Sequence, residues 1–155
     1  MRRRCLAHLA AHSDGWSRES PVAHLTASAL ITDAGAERVL LAHHAKVGRW
    51  LQTGGHVEPG DADLAAAAHR EAVEESGLPV VVDPVPLLLS EHPAPCRPHC
   101  VHLDVQFRAV AEVTAPQVSA ESTAVGWFAF DELPDTDDTV RRLVAAARAR
   151  ALVDG

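Results

Sequence analysis

The chain has 155 residues, a net charge of −7 and 47% apolar residues by an inclusive count, enough for one domain with a single substantial core. The acidic balance argues against a nucleic-acid polymer as partner, since that needs basic surface to displace counterions, and no apolar run is long enough to span a membrane. Three cysteines, an odd number, make no disulfide framework and point to a reducing, cytoplasmic compartment.

The chain begins Met1-Arg2-Arg3-Arg4, as a signal peptide does, but the following apolar run is short and broken by His8 and His12, which excludes that reading. Residues 2–12 carry a weak helical pattern through Leu6, Leu9 and Ala10, followed by a polar loop from Ser13 to Ser20. Residues 1–20 thus form an N-terminal helix or extension. Val22 to Ile31 is apolar and β-branched and predicts a strand; Arg38 to His44 predicts a second, its antiparallel neighbour across the turn Asp33-Ala34-Gly35-Ala36. Lys46 to Gln52 leads as a short strand into a double-glycine loop, Gly54-Gly55-His56-Val57-Glu58-Pro59-Gly60-Asp61.

An alanine-rich helix of about four turns follows. Asp61 can cap its N-terminus, with Asp63 in the first turn; Gly77 suits the left-handed position after the last turn, and Pro79 prevents continuation. Glu71, Glu74 and Glu75 recur at offsets of three and four, so at about 100° per residue they share one stripe, with Ala65, His69, Ala72 and Val73 on the far, core-facing side. Like charges so placed repel. A solvated acidic face is the bland explanation; beside a glycine loop, the carboxylates also suit a hard divalent cation such as Mg²⁺.

Downstream, Val80 to Val82 and Val85 to Ser90 read as short strands at an edge or break, because Pro84 and Pro86 interrupt them. His92 to His99 is a loop by composition. From Cys100 to Glu112, Val101, Leu103, Val105 and Phe107 alternate with His102, Asp104, Gln106 and Arg108, the pattern of a half-buried strand. A polar loop from Thr114 to Thr123 precedes a last strand, Ala124 to Phe130, and a turn at Asp131-Glu132-Leu133-Pro134. The final helix runs from about Asp138 to Leu152 and buries Val140, Leu143, Val144 and Ala147. Strands bracketing one central and one terminal helix imply an α/β fold, a mixed sheet between helices.

The stretch Gly55 to Leu78 resembles the signature box of the Nudix hydrolases, with Gly55, Arg70, Glu71, Glu74, Glu75, Gly77 and Leu78 matching. It departs from the usual box in two ways. Asp61 stands where the first glutamate belongs, and eight residues rather than seven separate it from Arg70. The tail around Trp127-Phe128 and Asp131-Glu132-Leu133-Pro134 is similar to the family's as well, so one Nudix-like α/β/α sandwich domain is expected over residues 1–155.

The resemblance implies hydrolysis of a phosphoanhydride in a small nucleoside diphosphate derivative, with Mg²⁺ or Mn²⁺ as cofactor. It implies Glu74 and Glu75 as main metal ligands and Glu71 as a ligand or the base, with a carbonyl of Gly54 or Gly55 completing the shell and Arg70 holding the carboxylates in place. A further glutamate before the last strand often serves such enzymes, and Glu121 is the candidate. His43, His44, Lys46 and Trp50, ahead of the glycine loop, and His102 with Asp104 on one strand face are candidates for contacts to substrate. A sensing module that keeps the fold without the chemistry, or an isoprenoid diphosphate isomerase, are the alternatives. A homodimer is compatible with such folds. His92, Cys96, His99, Cys100 and His102 crowd together, but Cys-x₃-Cys matches no regular zinc-finger spacing, and the segment reads as a substrate-side loop with reduced thiols, zinc being left open.

Overall fold

A computed structural model describes residues 1–94 and 96–154. Its elements, in chain order, are α1 (Arg2–Ala11), β1 (Ala23–Thr32), β2 (Arg38–His44), β3 (Arg49–Leu51), β4 (Thr53–His56), α2 (Leu64–Ser76), β5 (Val81–Val82), β6 (Leu88–Pro93), β7 (Val101–Val110), β8 (Ser122–Ala129) and α3 (Asp138–Asp154). The strands form one mixed sheet. β1 runs parallel to β7 along its whole length, while its other edge is shared by β2 at Ile31 and Thr32 and by β4 from Thr26 to Ala29. β2 in turn pairs with β3 and β8, and β7 with β5 and β6.

Two cores lie on the two faces of this sheet. On one, Leu25, Ala27, Ala29 and Ile31 of β1 and Leu103, Val105, Phe107 and Ala109 of β7 meet Ala67, Ala68 and Ala72 of α2. On the other, Leu30, Val39, Leu41 and Phe130 meet Val140, Leu143, Val144 and Ala147 of α3, the four helix residues expected from its periodicity. Period-two alternation along β1 feeds both layers, and the result is the expected α/β/α sandwich. The alanines of α2 let the helix lie close to the sheet, which brings its carboxylates against backbone.

Several expectations need correction. The glycine stretch is not a loop throughout: Thr53 to His56 form β4, with Gly54 opposite Ser28 and Gly55 opposite Ala27. Asp63, not Asp61, caps α2, its carboxylate accepting the Ala66 N–H at 2.8 Å. His69 is exposed, and Ala68 takes the core position beside Ala72. β6 begins and ends three residues later than the apolar run suggests and includes His92, which pairs with His102. β7 is buried on both faces, because the polar residues of its even-numbered side meet matching polar residues of β1 rather than water. Gly77 ends α2 with φ 68°, as its position implies.

Candidate active site

α2, β4, the loop before β8 and the N-terminal loop enclose a cleft of roughly 510 Å³. Glu71, Glu74, Glu121, Gly54, Gly55 and Arg70 all line it. The structure thus brings together most of the residues that the box implicates, and adds Glu121 across a long stretch of sequence.

The two glycines are there because a side chain would not fit. A Cβ on Gly55 would lie 2.5 Å from a Glu71 carboxylate oxygen, and one on Gly54 would come within 2.6 Å of the Ser28 Cα on the neighbouring strand. Gly54 also has φ 156°, which L side chains rarely adopt. Glycine therefore lets β4 pair closely with β1 while the Glu71 carboxylate rests directly on the backbone of Gly55.

Arg70 organises the acidic wall. Its Nε and Nη2 donate to the two oxygens of Asp61, each at 3.1 Å, and Nη2 also donates to the His56 carbonyl at 2.8 Å. Nη1 donates to Glu71 at 2.9 Å and to Glu74 at 3.2 Å. These hydrogen bonds hold the Asp61 carboxyl below the usual carboxylate range, against the opposing effect of burial, and raise the proton affinity of the guanidinium still further.

The carboxylates on the other side of this clamp are not satisfied in the same way. Burial pushes Glu71 up, and Arg70 only partly offsets it. Glu75 is pushed up to about 8, first by burial and then by the charges of Glu71 and Glu121, with a backbone hydrogen bond from Gly54 as the main relief. Glu74 is exposed. The donor set is all oxygen, which suits a hard divalent cation.

The candidates for substrate contact fall elsewhere, and none of His43, His44, Lys46, Trp50, His102 and Asp104 is among the residues lining the cleft. His43 Nδ1 lies 2.6 Å from the Thr123 hydroxyl, His44 Nδ1 accepts the N–H groups of Lys46 and Val47, and Lys46 is exposed on that turn. Trp50 packs edge-on against Phe128, with ring centroids 4.8 Å apart. Asp104 is buried, accepting hydrogen bonds from Thr26 (3.0 Å), Ser28 (2.8 Å) and Gln106 (2.9 Å). His102 is buried in a group of imidazoles. Trp16 and Arg18, by contrast, line the cleft from the Ser13–Ser20 loop, where composition shows only polarity; the isolated aromatic in that loop was the one available signal.

A family model described as the NUDIX domain matches residues 22–147. The chain belongs to the Nudix family. Among solved structures, a Nudix family hydrolase from Clostridium perfringens is 24% identical, the match covering 84% of this chain and 97% of that one, with a TM-score of 0.67. A MutT protein from Methanosarcina mazei Go1 is 20% identical over 86% of this chain and 98% of its own, with a TM-score of 0.68. An ADP-ribose pyrophosphatase from Streptococcus suis is 22% identical over 81% and 90%, with a TM-score of 0.61. At these identities the likeness is one of fold. No curated protein matches the sequence. Asp61, one carbon shorter than the glutamate of the usual Nudix box and one residue further from Arg70, meets both sides of the Arg70 fork.

Proposed function

We propose that the protein is a metal-dependent hydrolase of a phosphoanhydride bond in a nucleoside diphosphate joined to a further group. Glu71, Glu74 and Glu75, with a carbonyl of Gly54 or Gly55, would hold Mg²⁺ or Mn²⁺. One observation carries the reading: burial raises the proton affinity of Glu71 and Glu75, and the nearby charges of Glu74 and Glu121 raise it further on both, with Glu71 adding to the effect on Glu75. Such crowding is costly without a cation and favourable with one. When bound there, the ion supplies an activated water and offsets charge building on the phosphoryl oxygens.

The protein's own groups do the rest. Arg70 keeps Glu71 and Glu74 from swinging outward, and Asp61 keeps Arg70 from following them. Glu71 or Glu121 accepts the proton of the attacking water; both line the cleft from different elements. On the rim, Arg18 is suited to a phosphate and Trp16, 36% exposed, to a base. ADP-ribose, the substrate named for the Streptococcus suis structure, belongs to the class such a cleft would take. The three cysteines are free thiols, which supports a reducing compartment, and no described helix is long and apolar enough to cross a membrane.

The test is a panel of nucleoside triphosphates, dinucleotides, nucleotide sugars and ADP-ribose incubated with Mg²⁺ and assayed for phosphate-bearing products. Cleavage of at least one, abolished by chelator, is expected. Binding without product over long incubation would instead support a sensing module, and rearrangement with the diphosphate retained would support an isomerase.

A further inference from the structure

We propose that His24, His56, Cys96 and His102 form a second metal site, separate from the carboxylates, for a zinc-class divalent ion. Each offers one ligand atom, and the four atoms all lie within 4.8 Å of one another. Cys96 Sγ is 3.5 Å from His102 Nε2, 3.6 Å from His56 Nε2 and 3.8 Å from His24 Nε2. Zinc bonds of about 2.3 Å to sulfur and about 2.05 Å to nitrogen, at a tetrahedral angle, put the two donor atoms about 3.6 Å apart. The sulfur-to-nitrogen distances are thus already those of a filled site. The nitrogens, ideally about 3.3 Å apart in such a site, need only draw inward.

Strand pairing sets this arrangement. His24 is directly opposite His102 on parallel β7, and Thr26, two residues along on the same face of β1, is opposite His56 on β4. Neighbouring strands are about 4.8 Å apart, so pairing sets His24 beside His102, while the His56 side chain reaches them diagonally from β4. The ring centroids are 4.7 Å apart for His24 and His102, 5.1 Å for His24 and His56, and 5.3 Å for His56 and His102. Leu25 and Leu103 alternate with these histidines and face α2, so the imidazoles project from the other face of the sheet. Cys96 closes the group from the loop between β6 and β7, which is pinned where Arg97 donates to the Glu19 carbonyl at 2.9 Å and where the Ala94 N–H donates to the Cys100 carbonyl, also at 2.9 Å.

Hydrogen bonding alone accounts poorly for the convergence. A thiol has one proton, so at most one of three rings can accept from it, and sulfur is a weak acceptor for the others. A cation satisfies all four atoms at once. His24 and His102 are buried and His56 is half-buried, an environment that favours neutral rings with a lone pair to offer a cation. The remaining nitrogens are held by outer partners of the kind that orient metal-bound histidines: His92 Nε2 is 3.3 Å from His102 Nδ1, and Cys100 Sγ is 3.5 Å from His24 Nδ1. Cys100 therefore supports His24 from behind and is not the fourth ligand. One thiolate and three imidazoles select zinc, cobalt or copper over magnesium. His56 also lines the catalytic cleft, and its carbonyl receives Arg70, so filling this site would steady the strand end that faces the glutamates.

The test uses the full chain, stripped with chelator and saturated with Mg²⁺ so that the carboxylates are occupied, then titrated with Co²⁺ and with Zn²⁺. One equivalent of Co²⁺ is expected to produce a thiolate-to-cobalt charge-transfer band with intense four-coordinate visible bands, both displaced by Zn²⁺. Cys96→Ser should abolish the charge-transfer band and weaken Zn²⁺ binding by about 100-fold or more. His92→Ala should keep the band and weaken binding about tenfold. Glu75→Gln should leave the titration unchanged, which separates this site from the carboxylates. The proposal is overturned if Co²⁺ gives no charge-transfer band in the unsubstituted protein, or if the band persists in Cys96→Ser with the circular dichroism of the fold intact.

Discussion

Asp61 grips both sides of the Arg70 fork, Oδ1 receiving Nε and Oδ2 receiving Nη2 at 3.1 Å each, with only 6% of the Asp61 side chain and 22% of the Arg70 side chain exposed. The pair ties the turn before α2 to the middle of the helix, and Asp61 also accepts the Glu58 N–H at 2.8 Å. Because the Asp61 carboxyl is depressed from its ordinary 3.8, the unfolded chain binds its proton more readily than the folded one. The stabilisation is therefore present above that value and is lost as pH falls below it. Asp61→Asn should cost about 1–3 kcal/mol in urea denaturation near neutral pH, and less in acid. Equal losses at both would mean that the charge of Asp61 contributes nothing.

Glu75 has the opposite sign. Its carboxyl is raised from 4.5 to about 8, so the folded state keeps a proton that the unfolded state has released. For this group stability is greatest below 4.5 and declines as pH rises through about 8. In the metal-free protein, Glu75→Gln should accordingly hold or raise stability near pH 8, by on the order of 1–2 kcal/mol after solvent screening, while hydrolysis falls at least about 100-fold. A variant that melts earlier than the unsubstituted protein would contradict the account.

Cation binding must displace the same proton. The rise in melting temperature on adding Mg²⁺ should then be larger above pH 8 than below pH 6, and binding should release protons detectable with a pH indicator. A shift independent of pH would place the cation away from Glu75.

How much of this could be read in advance depended on the range of the interaction. The limits of α2 are local: Gly77 stops the helix, and Asp63 caps it within one turn, although Asp61 competed for that role until its pairing with Arg70 was visible. The carboxylate stripe is equally local. The burial of Asp104 is not, because it depends on Thr26 and Ser28 lying beside it on a parallel strand far away in sequence. The same blindness hid β4, where low strand propensity argued for a loop and the tight fit of Gly54 on Ser28 decided otherwise. It also hid the contribution of His24 and His56 to the group containing Cys96, because residues on three strands carry no common spacing.

The two glycines should fail differently. A methyl group on Gly55 meets a flexible carboxylate, so Gly55→Ala should fold normally and lose about 10–100-fold in kcat as Glu71 is displaced. On Gly54 it meets the backbone of Ser28, so Gly54→Ala should lose stability, by about 2–4 kcal/mol. Thermal unfolding beside steady-state kinetics distinguishes them; a stable Gly54→Ala would show that β4 can move away from β1.

Glu121 joins the cleft from the loop before β8, where no motif marks it, and its charge is one reason for the raised proton affinity of Glu75. Two consequences follow from one substitution. In Glu121→Ala, kcat should fall at least about tenfold through loss of a ligand or base. In the metal-free variant, Glu75 should also titrate below its value of about 8, because a like charge has gone. Glu58→Ala, at the exposed rim of the same cleft, should leave kcat within about twofold and so controls for general loss of negative charge. The titration is read by NMR of a side-chain label. If it moves without a change in kcat, Glu121 is a bystander charge; if neither moves, the loop before β8 does not reach the site in solution.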